Sequence, residues 1–317
     1  MRVPLPAAMM TTFNAMRTSF FIRCRQALII GLTTTLAATL LAGCSAVRLA
    51  YDQGPTVVRW WLDGYFDLTD AQQPLIRPAI SSWFDWHRRT QLPDYAQWLD
   101  RTQRELSEPV TAEQVCRWAE DLRGRYELAI DQALPLVVEA TRSLQPAQID
   151  HLEAKYAKKN AEYRKEFLQP KLQERFEASL ERAIDRAQTL YGRLEPSQKR
   201  LLSAQLRAAP FDAQAWYAQR TAQQQDILKT LRQVTTNATE RPDRERTLVL
   251  MRGLKERWVS WRRGDAPVYE QRVMQANCNL VAELHNSTSQ TQRQHAQEKL
   301  KAWGDDLRAL ASSGGKR

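Results

Sequence analysis

No run in the sequence alternates apolar and polar residues with the two-residue period of a half-buried strand. Glycine, at 11 of 317 residues, is too scarce for a protein built of many tight turns. A sheet is therefore not expected. The motifs that carry common chemistries are missing too. There is no GxSxG elbow, no glycine-rich phosphate loop and no HExxH. The four histidines, His87, His151, His285 and His295, fall on separate segments, and no cysteine spacing suits zinc. Acidic pairs such as Glu120-Asp121 and Asp305-Asp306 are adjacent, so on a helix their side chains diverge rather than converge on one substrate. The expectation is a protein that is not an enzyme, with no metal and no cofactor. Lys and Arg are not clustered among aromatics as in a nucleic-acid-binding module, so nucleic acid is not an expected partner.

What is present begins with an export signal. Residues 27–45, ALIIGLTTTLAATLLAGCS, form an uncharged, largely apolar run preceded by Arg17, Arg23 and Arg25. A charged region followed by a short apolar one marks a secretory signal rather than a membrane-spanning helix, which needs about 20 residues. The run closes on Leu41-Ala42-Gly43-Cys44. Small residues before a cysteine admit a signal peptidase, and the cysteine then carries acyl chains such as palmitate. Cys44 is thus the expected lipid attachment site. Ser45 supplies no inner-membrane retention charge, so the reading is an outer-membrane lipoprotein facing the periplasm. Met16 serves as well as Met1 for the start, since a charged region follows it. Removing residues 1–43 takes four arginines and no acids, lowering the formal charge from +10 to +6, compatible with an anionic bilayer or wall polymer nearby.

Two cysteines then remain for structure, Cys116 and Cys278. In an oxidising compartment they are expected to pair, closing a long loop worth about 4 to 5 kcal/mol, against the alternative of two buried thiols.

Ala, Leu, Gln, Glu and Arg dominate, and apolar residues recur at i, i+3, i+4 and i+7 over most of the chain. The fold expected is all-α, a bundle-like antiparallel array of about ten helices. Residues 44–67 form a tether and an aromatic helix, with Thr56 as cap. Residues 68–311 form the helical domain with a seam at 235–242, and 312–317 a disordered tail. Pro78 should bend or begin a helix, and Pro135 should kink or stop one. On the helix starting at Thr111, Val115, Trp118, Leu122, Tyr126, Ile130, Ala133 and Val137 form the apolar stripe. His87, beside Trp83 and Trp86, reads as a partly buried histidine on an apolar face. Trp60, Trp61, Tyr65 and Phe66 read first as packed core, and second as an interfacial belt. The segment 257–263, with Trp258, Trp261, Arg262 and Arg263, is the best local candidate for a binding surface; its alternative is core aromatics under arginine stems.

One short pattern recurs: an apolar residue, a cap, two residues and a glutamine. It occurs as Leu68-Thr69-Asp70-Ala71-Gln72, Val110-Thr111-Ala112-Glu113-Gln114, Leu144-Gln145-Pro146-Ala147-Gln148 and Leu194-Glu195-Pro196-Ser197-Gln198, with Ser289 and Gln292 as a looser fifth copy. Each copy can be a capping box at a helix start. The pattern also resembles the LTxxQ signature of periplasmic stress chaperones of the Spy and CpxP type. That resemblance implies a helical protein that cradles unfolded or aggregating envelope proteins on a basic, partly apolar face. A resemblance over nearly all of the mature chain is carried by WWLDGYFDL, WFDWHRRTQLPDYA, PVTAEQVCRW, KKNAEYRKEFLQP, TLYGRLEPSQ and LHNSTSQTQR. These blocks look like those of a bacterial lipoprotein family catalogued only as a domain of unknown function. The function expected is a non-enzymatic binding or chaperone-like role toward unfolded or envelope proteins. The alternatives are an envelope scaffold that binds lipid, peptidoglycan or a partner protein, and, third, a hydrolase with an unrecognised site.

Overall fold

The computed structural model describes residues 46–235, 241–260 and 268–313. Cys44, Trp261, Arg262 and Arg263 lie outside the described residues, as do the signal segment, most of the expected seam and the end of the expected tail. The chain divides into two compact units at Asp52/Gln53. Of the first, the described part is one short helix, α1 (Ala46–Asp52). The second holds everything from Gln53 onward and is all-α, with no strand among the described residues.

Its first helix, α2 (Gly54–Phe66), starts at Gly54 with Pro55 in the first turn, two residues earlier than the expected cap at Thr56. Proline needs no hydrogen-bonded N–H there and its φ is already helical, so it extends the helix backward. A Cβ on Gly54 would stand 2.5 Å from the Phe84 ring, so only glycine lets α2 lie this close to α3 (Gln73–Trp86). A π-helical turn (His87–Gln91) joins α3 to α4 (Leu92–Glu105).

The long α5 (Ala112–Ser143) follows, 32 residues or about 48 Å of helix. Pro135 lies inside it and does not stop it. Leu134 and Val138 on either side of the proline are buried in the core, and that packing outweighs a proline cost of about 3 kcal/mol. Pro78 likewise lies within α3 rather than beginning it. Next come α6 (Pro146–Phe167), α7 (Leu172–Tyr191), α8 (Pro196–Ala208), α9 (Ala213–Val234), α10 (Arg244–Ser260), α11 (Val268–Asn286) and α12 (Gln290–Ser313). Ser312 and Ser313 belong to the last turn of α12, where each hydroxyl donates to the carbonyl three residues back, so the helix runs two residues into the expected tail.

Three apolar clusters hold these helices, and α5 reaches two of them. Its C-terminal half supplies Leu134 and Val138 to a core with Ile149 and Leu152 of α6, Leu228 and Leu231 of α9, and Met251 of α10. Its N-terminal end supplies Val115 to a second, with Leu99 of α4, Cys278 and Ala282 of α11, and Leu300 of α12. The third joins Ala187 and Tyr191 of α7, Leu202 of α8, Leu284 of α11 and Ala296 of α12. Cys116 and Cys278 are bonded, 162 residues apart in sequence, tying α5 to α11 inside the second cluster.

Candidate functional site

The recurring glutamines stand at helix starts, and four of them do more than cap. In every copy the Oε1 accepts from the cap residue's own backbone N–H: Thr69 to Gln72 at 3.0 Å, Thr111 to Gln114 at 2.8 Å, Gln145 to Gln148 at 2.9 Å, Glu195 to Gln198 at 2.8 Å and Ser289 to Gln292 at 3.0 Å. Gln72 and Gln148 then exchange amide hydrogen bonds, 3.0 Å in each direction. The Gln72 Nε2 also donates to Ser143 O at 2.8 Å, and the Gln148 Nε2 to Phe66 O at 2.9 Å. Each glutamine therefore ties off the end of the helix that precedes its partner. The α2/α3 corner is locked to the α5/α6 corner.

Gln198 and Gln292 repeat this arrangement. They exchange bonds of 2.8 and 3.0 Å, and reach Ser287 O and Arg193 O respectively. Here the α7/α8 corner is locked to the α11/α12 corner. All four glutamines are buried, so their polar atoms need these partners. The second copy differs. Gln114 makes only its capping box with Thr111, and the corner in front of it is held instead by α11. Asn286 bonds both the N–H and the carbonyl of Val110, and the fully buried His285 sits between Tyr191 Oη and Glu108 O, each at 3.0 Å. Burial holds the His285 pKa below its ordinary value. A neutral ring that donates from Nε2 to Glu108 O and accepts the Tyr191 hydroxyl at Nδ1 satisfies all three groups.

The α5 stripe divides into two surfaces. Val115 enters the core, while Leu122, Tyr126 and Val137 are 49%, 45% and 42% exposed. Leu122, Tyr126, Ala129, Ile130 and Ala133 form one wall of an open cleft of about 550 Å³. Trp83 and His87 form the facing wall with Tyr95, Trp98 and Leu99 of α4, and Leu307 of α12 also contributes. The expected stripe is thus apolar throughout, but half of it faces a space between helices. Periodicity finds an apolar face but does not say whether a partner helix covers it.

His87 stacks on Trp83 at 4.8 Å, and burial lowers its pKa to about 4, so the imidazole is neutral near pH 7. The Trp83 indole donates to Ala129 O at 3.0 Å, bracing α3 against α5. The Trp98 indole N–H is buried with no acceptor among the described residues. At the rim, Arg125 holds Asp94 through two bonds of 2.7 and 3.3 Å, and its guanidinium carbon lies 5.8 Å from the centre of the Trp98 ring. The cleft thus offers an aromatic floor with an ion pair at its edge. Among the described residues no group of three or more His, Cys, Asp or Glu is placed to hold a metal ion.

The aromatic helix α2 departs from the core reading. Trp60 and Trp61 are 62% and 55% exposed, whereas Tyr65 and Phe66 are half-buried against the first cluster. Of the basic aromatic segment, Trp258 is 37% exposed and Arg257 grips Asp226 of α9 at 2.7 and 3.0 Å. That arginine braces α10 on α9.

Corner-locked helices packed on the long α5, with an open aromatic cleft beside it, make up an all-α domain. Residues 64–258 match the model of a family of unknown function (DUF6279), and the chain belongs to that family. No curated protein and no solved structure matches the chain.

Proposed function

We propose that the protein is an exported lipoprotein, anchored through acyl chains on Cys44 at the periplasmic side of the outer membrane. In this reading its helical domain binds apolar segments of unfolded or envelope proteins without catalysing a reaction. The observation that carries the binding role is the cleft between α3, α4 and α5. Apolar side chains left open to water are costly to a monomer, and a concave aromatic surface with few polar groups fits an apolar segment better than a charged or sugar ligand. Neutral His87 keeps the floor uncharged.

The glutamine motifs bear on this differently than the chaperone resemblance implies. Four of the five amides are spent inside the molecule, so client contact in this reading belongs to the cleft and not to the motif. The test is suppression of aggregation of a chemically denatured model protein by the purified protein at near-stoichiometric ratio. Leu122→Asp with Tyr126→Asp should abolish suppression and leave the helical circular dichroism unchanged, because both side chains are about half exposed. Full suppression by the double variant, or none by the wild type, rejects the cleft as a client site. The anchor is tested separately by Cys44→Ser, which should abolish the lipid mass and release the protein from the membrane fraction.

A further inference from the structure

On α2, Val57, Trp60, Trp61 and Gly64 recur at i, i+3, i+4 and i+7 and so share one side of the helix. That side is uncovered, Val57 being 54% exposed and the two indoles more so on average. The helix is held by its neighbours: Tyr65, whose ring lies 4.6 Å from that of Trp61, and Phe66 pack on the core of α5, α6 and α9, and Gly54 lies under Phe84. The indoles are therefore presented on a braced helix rather than on a loose arm. Cations border the stripe. Lys155 of α6 places its ammonium 5.6 Å from the Tyr65 ring centre and 3.6 Å from where a Cβ on Gly64 would stand. The stripe ends on glycine where the ammonium crosses it. Lys158, one turn further along α6, is exposed. Among the described residues neither lysine makes a salt bridge, while Lys159 beside them is held by Glu162 at 2.7 Å. The one acid of α2, Asp63, accepts the Leu68 N–H at 3.3 Å.

Paired indoles bordered by unpaired cations match the headgroup region of a bilayer. There the ring sits among glycerol and upper acyl carbons, its N–H meets carbonyl oxygens, and ammonium groups meet phosphates. Anionic lipid adds attraction for each cation near the surface. We propose that the Val57-Trp60-Trp61 side of α2, with Lys155 and Lys158, docks the domain onto an anionic phospholipid surface. It is a second membrane contact, made by the folded domain itself and separate from the acyl anchor. Trp60 lies sixteen residues beyond Cys44 in sequence, so an anchored chain would bring this helix near the bilayer early; that point alone rests on the anchor reading.

The test uses the full-length protein isolated from membranes and reconstituted in vesicles of phosphatidylethanolamine and phosphatidylglycerol with brominated acyl chains. Bromine quenches tryptophan only within the bilayer. Two of the ten tryptophans are proposed to reach it, so about a fifth of the emission should be quenched in the wild type and almost none in Trp60→Phe/Trp61→Phe. Replacing phosphatidylglycerol by phosphatidylcholine, or Lys155 and Lys158 by glutamine, should reduce the quenched share at least twofold. Equal quenching in wild type and double variant, with both proteins still floating with the vesicles, overturns the docking face and leaves the anchor standing. A difference that persists in Cys44→Ser supports the face whether or not the anchor reading survives. Absence of quenching at every lipid composition overturns the proposal and turns the indoles over to a protein partner.

Discussion

The Gln72-Gln148 lock predicts a stability loss that a simple helix cap would not produce. Truncating Gln148 to alanine removes its two amide bonds with Gln72, the bonds from its Nε2 to Phe66 O and Asp67 O, and the return bond to the Gln145 N–H. A neutral hydrogen bond contributes about 1 kcal/mol net, and a buried group left without a partner costs about 1 to 3 kcal/mol. Gln72 keeps Ser143 O and the Thr69 N–H, so its own loss is partial. The carbonyls at the end of α2 and the Gln145 N–H bear most of the rest. The sum is about 3 to 5 kcal/mol. Gln114→Ala is the internal control, because that glutamine has the same cap geometry without a partner, and it should cost about 1 kcal/mol. The assay is urea unfolding followed by far-ultraviolet circular dichroism. A cycle with Gln72→Ala should show coupling of about 1 to 2 kcal/mol between the two glutamines and none between Gln72 and Gln114. If Gln148→Ala and Gln114→Ala cost the same within about 0.5 kcal/mol, the copies are caps alone and the lock adds nothing.

Replacing Cys116 and Cys278 by serine should lower stability by about 4 to 5 kcal/mol through the freed loop of 162 residues, read as a shifted urea midpoint under non-reducing conditions. His87 has a folded pKa of about 4 against an ordinary value of 6.5, so protonation favours the unfolded chain; its contribution is intact above pH 6.5 and lost as pH falls toward 4. The loss is at most about 3 kcal/mol, less for solvent screening of a partly exposed ring, and His87→Phe should flatten the stability profile over that window while the smaller slope from His285 remains. Gly192 ends α7 at φ 72° and ψ −153°, a region open essentially to glycine, so Gly192→Ala should cost about 1 to 3 kcal/mol in the same unfolding assay.

The helices were legible because their signals are local. Thr111 and Pro146 at helix starts, Gly192 at an end and the 3.6-residue period all act within one or two turns, and the structure puts helix boundaries at those residues. Thr56 misled because Pro55 decides where α2 begins, and of the two outcomes expected at Pro135 a stop does not occur, because its buried flanks carry the helix on, which is a tertiary effect. The Cys116-Cys278 bond was legible by elimination. The glutamine pairs were half legible. Recurrence marked the residues, but the partner of Gln72 lies 76 residues away and that of Gln198 lies 94 away, distances that no local rule bridges. The cleft was invisible for a more basic reason. Leu122 and Tyr126 have the spacing of core residues, and only the placement of α3 and α4 leaves them open.

The way the motif copies pair constrains how the chain is organised. Gln72 joins Gln148, Gln198 joins Gln292, and no pair crosses between the first two and the last two. Each lock has the same parts: two corners, two glutamines exchanging amides, and each amide closing the helix end before its partner. A motif conserved in chemistry but used only for capping would place its copies anywhere on the surface. Here four of five are buried and joined in sequence-separated halves, one in residues 66–148 and one in 191–292. The locks do not divide the domain, however, because its cores mix the two stretches: α9 and α10 pack with α5 and α6, and α4 with α11 and α12, where the Cys116-Cys278 bond also joins α5 to α11. The cleft draws on both locked stretches, with walls from α3, α4 and α5 and with Leu307 from α12. Loosening either lock should therefore disturb the cleft from a distance, and Gln198→Ala, far from it in sequence, should weaken aggregation suppression through α12 rather than through any contact with a client.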